Sequence, residues 1–311
     1  MKVAVVGAGA MGSIFGAAFH DAGHPTSFIE VNQLVVDALN RDGLEITRWD
    51  GTAQRYWIPA ATAPSELNRA VDLVLIQVKG FATQSAVDLV RPIIAPETIV
   101  MTLQNGLGNE EVIRAALPQQ AVLIGNSVHS VAVIGPGRVA HTGVRGTYVG
   151  PSEDRWMAQA TAVVNAFAGS GFEVQALSQA EIRHQIWSKF VMNCGSLPTL
   201  ALTGLSTADA NAHEAVLALV DALVSESCAI ARAAGIQLDT DERVAFSREL
   251  IRTAGGKASM LQDIEAGRRT EIDTINGAAV RYADRFGVAA PLNRAMVSLV
   301  KGREAAMGGG S

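Results

Sequence analysis

The sequence predicts an α/β protein in two parts: an N-terminal parallel-sheet domain over residues 1–176 and a C-terminal all-helical domain over 177–307. Three observations predict it. Short apolar runs of strand length alternate with stretches of helical spacing through the first half, the pattern of βαβ units. From about Leu177 helical periodicity takes over. A glycine-rich turn, Gly7-Ala8-Gly9-Ala10-Met11-Gly12, joins the first apolar run to the first helical stretch.

Residues 3–7 read as a buried strand and 10–22 as a helix ending at Gly23. Residues 26–30 are the next strand and 32–42 the next helix. Residues 44–47 and 54–58 flank Asp50-Gly51, a hairpin turn signal. Residues 73–78 and 99–103 are strands with a helix over 83–94 between them, and 122–133 is rich in β-branched residues. The later helical runs are 178–203, 210–234, 240–254, 271–286 and 291–306, punctuated by Gly235, Gly255-Gly256, Gly267 and Gly287. Pro198 lies inside the first of these runs. It removes an N–H and biases Leu197 away from helical angles, so a kink or helix end is expected there. Residues 308–311 read as a flexible tail.

A chain of 311 residues with 49% hydrophobic content has ample material for two cores. Its net charge of −5 argues against a nucleic-acid surface, although a small anionic substrate needs only local donors. Cys194 and Cys228 form neither a disulfide framework nor a metal spacing, and the six histidines show no metal spacing either. They fit a reducing cytoplasm. Neither a leader nor a membrane span is read from the apolar runs. The apolar helical part leaves a homodimer open.

The turn Gly7–Gly12 has the G-x-G-x-x-G form, and its context gives it weight. The first glycine permits the tight turn, and the second lets backbone approach a pyrophosphate. The third allows helix to pack on strand, while the N–H groups of Ala10 and Met11 open a helix whose N-terminus attracts phosphate. This is the Rossmann-type dinucleotide signature. Glu30 closes the second strand about 20 residues further along, where an acid accepts from both ribose hydroxyls and repels a 2′-phosphate. No Arg or Lys follows before Arg41. NAD(H) is therefore favoured over NADP(H).

Several later segments carry a specific resemblance: Val78-Lys79, Gln104-Asn105-Gly106 and 187–194 (Trp187, Ser188, Lys189, Phe190, Val191, Met192, Asn193, Cys194). With them go Ser259-Met260-Leu261-Gln262-Asp263, Gly267 to Asp273 and Asn276-Gly277. In this order over essentially the whole chain, they resemble the ketopantoate reductase family. The resemblance implies reduction of a small 2-oxo acid to the 2-hydroxy acid by a nicotinamide cofactor. It implies that Lys189 and Glu271 are catalytic, with Glu271 also close to the cofactor. Asn105 would lie near the nicotinamide end and the reacting carbonyl, Ser259 would bind the substrate carboxylate, and Lys79 would line the same site.

The chemistry is coherent without the resemblance. Such a reduction needs a hydride donor, a proton donor for the developing alkoxide and a clamp for the carboxylate. A partly desolvated lysine can give up a proton near neutral pH, and its ammonium stabilises an oxyanion. Lys189, Asn193 and Leu197 are spaced i, i+4, i+8, so a continuous helix puts them on one face. Other readings stay open. Ser259 also suits an N-cap, Glu271 an N-terminal helix acid and Asn105-Gly106 a simple turn.

The chain departs from the family at two places. Leu197 stands where the N-C-x-x-N-P pattern has its second Asn, and Gly256 stands where an Asn precedes the serine by three residues. Replacing amides by Leu and Gly relaxes the demand for a substrate hydroxyl. A 2-oxo acid with a branched or aromatic side chain is therefore expected, as in NAD-dependent D-2-hydroxyacid dehydrogenases. The alternatives are an NADPH-dependent 2-dehydropantoate 2-reductase, an imine- or opine-type reductase, and a non-catalytic NAD-binding sensor.

Overall fold

In the computed structural model, which describes residues 1–67 and 70–308, the strands are β1 (Val3–Val6), β2 (Thr26–Ile29), β3 (Leu44–Arg48), β4 (Ala53–Tyr56), β5 (Ala60–Ala61), β6 (Leu73–Ile76), β7 (Ile99–Thr102), β8 (Ala121–Gly135), β9 (Arg138–Pro151) and β10 (Val174–Ala176). The helices are α1 (Ala10–Asp21), α2 (Gln33–Asp42), α3 (Thr83–Val90), α4 (Asn109–Ala116), α5 (Met157–Asn165), α6 (Gln179–Thr203), α7 (Thr207–Ala210), α8 (Glu214–Ala233), α9 (Thr240–Thr253), α10 (Ser259–Glu265), α11 (Asn276–Phe286) and α12 (Pro291–Gly308). The chain divides into two compact units. One comprises Met1–Gln104 with Asn109–Ile182, and the other comprises Asn105–Gly108 with the chain from Arg183 onward.

The first unit is one sheet with the order β4-β3-β9-β8-β7-β6-β1-β2-β5, and β10 pairs β9. Setting aside the β3–β4 hairpin, the run β5-β2-β1-β6-β7-β8 is the 3-2-1-4-5-6 order of a doubly wound nucleotide-binding sheet, and all its pairings are parallel. The strands are short and apolar because both faces are covered. Val3, Val5, Leu73, Leu75, Ile99 and Met101 enter one core cluster, while Ala4, Val6, Val74, Ile76 and Val100 enter another, a period of two divided between two layers. The β3–β4 hairpin turns at Asp50, whose carboxylate accepts from the Thr52 N–H, and at Gly51 with φ +82°.

The hairpin β8–β9 is antiparallel and much longer than the other strands. Its second strand was not read from the sequence, because Gly143, Gly146 and polar residues break the alternation along it. α5 and β10 were likewise not read. The expected helix over 210–234 is α8, which opens at Glu214, and a short helix α7, capped by Ser206, precedes it. Gly308 is the last residue of α12 rather than part of a tail, and 309–311 lie outside the described residues.

The second unit is helical. Its core gathers Trp187, Phe190, Val191 and Leu200 of α6, Val220 and Val224 of α8, Ile272 and Ile275, and Ala278, Ala279 and Ala283 of α11. α6 and α8 approach closely at Gly195, where a Cβ would lie 2.9 Å from the Val220 carbonyl oxygen. Among the described residues, no helix is long and apolar enough to cross a membrane.

Candidate active site

The glycine turn after β1 divides its three glycines by task. Gly7 has φ +95°, a conformation that favours glycine, and its N–H donates to the Ile29 carbonyl at 2.8 Å. A Cβ on Gly12 would stand 1.9 Å from the Gly7 carbonyl oxygen, so helix and strand meet here only because that residue has no side chain. Gly9 is different. Its φ of −73° and ψ of −166° suit any residue, and a Cβ there would meet nothing within 4 Å. The packing of the protein itself therefore does not call for glycine at 9, whereas a close-lying phosphate does. Ala10 and Met11 follow as the first turn of α1, whose N–H groups have no acceptor within the helix. The residues present thus fit a dinucleotide pyrophosphate.

Glu30, just past β2, is half-buried. Its Oε2 accepts from the Ala8 N–H and its Oε1 from the Asn32 N–H, both at 2.9 Å. Two charge-assisted bonds hold the carboxylate against the glycine turn and leave further lone pairs for hydroxyl donors. Across the point where the strand order reverses, β6 is followed by Gln77-Val78-Lys79, and a Cβ on Gly7 would lie 3.0 Å from Val78 Cγ1. Lys79, half-buried, opens a single 3₁₀ turn. That loop is fixed by Gln104, whose Nε2 donates to the Val78 carbonyl at 2.7 Å and to Thr83 Oγ1 at 2.9 Å. Gln104 carries no signal of this task in the sequence, because its two acceptors lie 26 and 21 residues away.

The second unit holds Asn105, Lys189, Asn193, Leu197, Gly256, Ser259 and Glu271. Asn105 belongs to it through the short segment Asn105–Gly108. The Leu107 N–H donates to the Thr274 carbonyl at 2.9 Å, and Gly106, at φ +83°, passes so close that a Cβ would lie 2.2 Å from that same oxygen. This is a specific docking of backbone on backbone, more than a simple turn.

The helical run containing Lys189 is unbroken from Gln179 to Thr203, so Lys189, Asn193 and Leu197 do share a face, and the helix end expected at Pro198 is not there. Lys189 is half-buried, and burial pulls its pKa from 10.5 down to about 8, with the charge of Glu271 opposing that fall. Glu271 is buried. It does not lie in a helix as expected, because α11 begins only at Asn276. Residues 271–275 form consecutive turns, in which the Glu271 carbonyl accepts from the Thr274 and Ile275 N–H groups at 3.1 Å. Thr270, Ile272, Thr274 and Ile275 are β-branched and weak helix formers, and tertiary bonds take up this backbone instead. Glu304 accepts from the Thr270 N–H at 2.6 Å, while Arg269 and Lys301 both pair with Asp273.

Asn193 is half-buried, and its amide has no hydrogen-bond partner among the described residues. Leu197 is buried and joins the helical core. Gly256 has φ +112°, a conformation that favours glycine, and its carbonyl accepts from the Thr207 N–H at 3.1 Å. Ser259 is exposed and is the first residue of α10. The N-cap position belongs to Ala258, so the serine does not cap the helix. The structure thus couples Lys189 with Glu271 and docks the Asn105 segment beside that acid. Gly256 sits on the connection between α9 and α10, and Ser259 opens α10.

Comparison with known proteins agrees with this organisation. The family model described as ketopantoate reductase PanE/ApbA matches residues 3–154, and its C-terminal counterpart matches residues 181–304. A 2-dehydropantoate 2-reductase of Pyrococcus horikoshii is 31% identical over all of both chains, and one of Archaeoglobus fulgidus is 28% identical over 98% of this chain and 99% of its own. Among solved structures, a D-mandelate dehydrogenase with NADH and anilino(oxo)acetate superposes with a TM-score of 0.93 at 27% identity, covering 99% of this chain and 100% of the other. A PanE/ApbA family ketopantoate reductase from Ralstonia eutropha superposes with a TM-score of 0.88 at 31% identity, over 99% and 100%. The sheet order, the glycine turn and these relatives together define an NAD(P)-dependent oxidoreductase acting on 2-oxo acids. The chain belongs to the ketopantoate reductase PanE/ApbA family.

Proposed function

We propose that this enzyme reduces a 2-oxo acid with an apolar, branched or aromatic side chain, and that it prefers NADH to NADPH. The observation that carries the cofactor reading is the Glu30 carboxylate, held by two backbone N–H groups at the lip of the glycine turn. A carboxylate fixed there suits a ribose diol and repels a 2′-phosphate. The substrate reading rests on Leu197 and Gly256, which offer no side-chain donor where the family pattern has amides. The neighbouring D-mandelate dehydrogenase, solved with NADH and anilino(oxo)acetate, supports both. The two buried, unpaired thiols suit a cytoplasmic setting.

In this reading Gly7, Gly9, Ala10, Met11 and Gly12 bind the pyrophosphate through backbone N–H groups and the N-terminus of α1. Glu30 accepts from the ribose, and Lys79 stands at the neighbouring strand end. A nicotinamide held there would supply the hydride that the carbonyl carbon accepts. Lys189 donates the proton that the developing alkoxide needs, and with a pKa of about 8 it is mostly protonated at neutral pH. Its residual positive charge stabilises the oxyanion before transfer is complete. Glu271 keeps the ammonium in place and protonated. Asn105 and Asn193 donate amide N–H groups to substrate oxygens, and Ser259 donates its hydroxyl to the carboxylate.

The test is a matrix of initial rates with NADH and NADPH against ketopantoate, 2-oxoisovalerate, phenylpyruvate and benzoylformate. The expected result is the highest kcat/KM with NADH and one of the apolar acids. NADPH with ketopantoate as the best pair would replace this reading by that of a 2-dehydropantoate 2-reductase.

A further inference from the structure

Pro198 raises a question that the catalytic residues do not answer. In an α-helix, residue 198 would donate its N–H to the carbonyl of residue 194, and proline has no N–H to give. Yet α6 runs on for five residues beyond it, and the turn so weakened is the one that follows Lys189 and Asn193. The missing donor comes from another element. Asn276 Nδ2 donates to the Cys194 carbonyl oxygen at 2.9 Å. Asn276 is fully buried at the first position of α11, directly after the turns that carry Glu271.

The side chain of Asn276 is itself held. Its Nδ2 also lies 2.9 Å from Asn293 Oδ1, so both amide protons have acceptors and the amide cannot flip without setting oxygen against oxygen. Asn293 Nδ2 donates onward to Glu226 Oε1 at 2.8 Å, and Glu226 accepts from the Leu292 and Asn293 N–H groups at the start of α12. A buried chain of bonds therefore runs from α6 through α11 to α12 and ends on a carboxylate of α8. Alanine at 276 would leave the Cys194 carbonyl without this donor, a cost that falls on the helix presenting the catalytic lysine.

We propose that Asn276 is a positioning residue for the reduction: it supplies the hydrogen bond that Pro198 deletes from α6, and so fixes the Lys189–Asn193 face against the turn bearing Glu271. The proposal rests on Lys189 and Glu271 being the reacting pair. It assigns to Asn276 no contact with substrate or cofactor.

The test is a double-mutant cycle with Asn276→Ala and Pro198→Ala in the whole enzyme. It reads kcat, KM, the dissociation constant of the reduced cofactor and Tm, with Lys189→Ala assayed alongside. Asn276→Ala alone should lower kcat about tenfold, the worth of one buried hydrogen bond, with cofactor binding unchanged. Pro198→Ala alone should stay within about twofold of the parent. In the double variant, alanine at 198 offers its own N–H to the Cys194 carbonyl, and kcat should recover most of the loss. Equal kcat losses with either residue at 198 would overturn the proposal. A recovery of Tm without kcat would also overturn it, since the bond would then be structural only. If Asn276→Ala does not fold, folding of the double variant is the rescue; if neither folds, the contact with Asn293 is the essential one and the proposal falls. Undiminished turnover in Lys189→Ala would instead strike the underlying catalytic assignment, whatever the cycle shows.

Discussion

Replacing Glu271 by Gln should move the pH profile of the reduction toward acid. Burial holds Lys189 at a pKa of about 8, well below its ordinary 10.5, and the Glu271 charge works against that depression. With the acid present, roughly nine-tenths of Lys189 carries its proton at pH 7 and roughly one-tenth at pH 9. Gln preserves the shape of the side chain but removes the charge. A neighbouring carboxylate favours the charged form of a cation, so the lysine in the variant should titrate lower still. The sign follows from the direction of the chemistry. In the proposed mechanism reduction consumes the lysine proton, so activity is present below the lysine pKa and lost as pH rises through it; removing Glu271 should move that loss to lower pH. Oxidation of the hydroxy acid requires the neutral amine, so its rising limb should move the same way. The assay is single-turnover oxidation of the reduced cofactor between about pH 5.5 and 10. A falling limb that stays put, or moves to higher pH, would refute the electrostatic coupling.

The glycine turn gives a paired expectation. Gly12→Ala should lower both Tm and cofactor affinity, because its methyl would overlap the Gly7 carbonyl oxygen, while Gly9→Ala should weaken cofactor binding with Tm nearly unchanged, as checked by thermal unfolding and fluorescence titration. A large Tm loss in Gly9→Ala would mean that this glycine serves the fold. Glu30→Arg should shift the ratio of kcat/KM values toward NADPH and also cost some affinity for either cofactor, because the bonds to Ala8 and Asn32 go with the carboxylate. An unchanged ratio would count against the ribose reading.

Comparing the two levels shows which signals are local. Hairpin chemistry at Asp50-Gly51 and the short apolar runs of β1, β6 and β7 are properties of neighbouring residues, and they reappear as elements close to their expected limits. The departures have non-local causes. β9 finds its partners in β8 and in the distant β3, so no periodicity of its own announces it. Glu271 leaves the helix because Glu304, Lys301 and the segment at Gly106 take up the backbone and charges around it. Pro198 reads locally as a helix breaker, and only an amide 78 positions further along, beyond any local window, keeps the helix whole. The signal available beforehand was the proline itself, since a helical pattern that continues past it requires an outside donor.

The sequence by itself determined the alternation of strands and helices, the change to helices near Leu177, the dinucleotide turn and the family, because period, turn chemistry and motif spacing are written over a few residues at a time. Tertiary structure alone decided which strands are neighbours, where Glu271 stands and what depresses the pKa of Lys189. It also decided that Gly9 is not needed by the fold while Gly12 is, and that Asn276 completes α6. Each of these depends on atoms brought close from distant parts of the chain, where burial, hydrogen bonding and charge act through space rather than along the sequence.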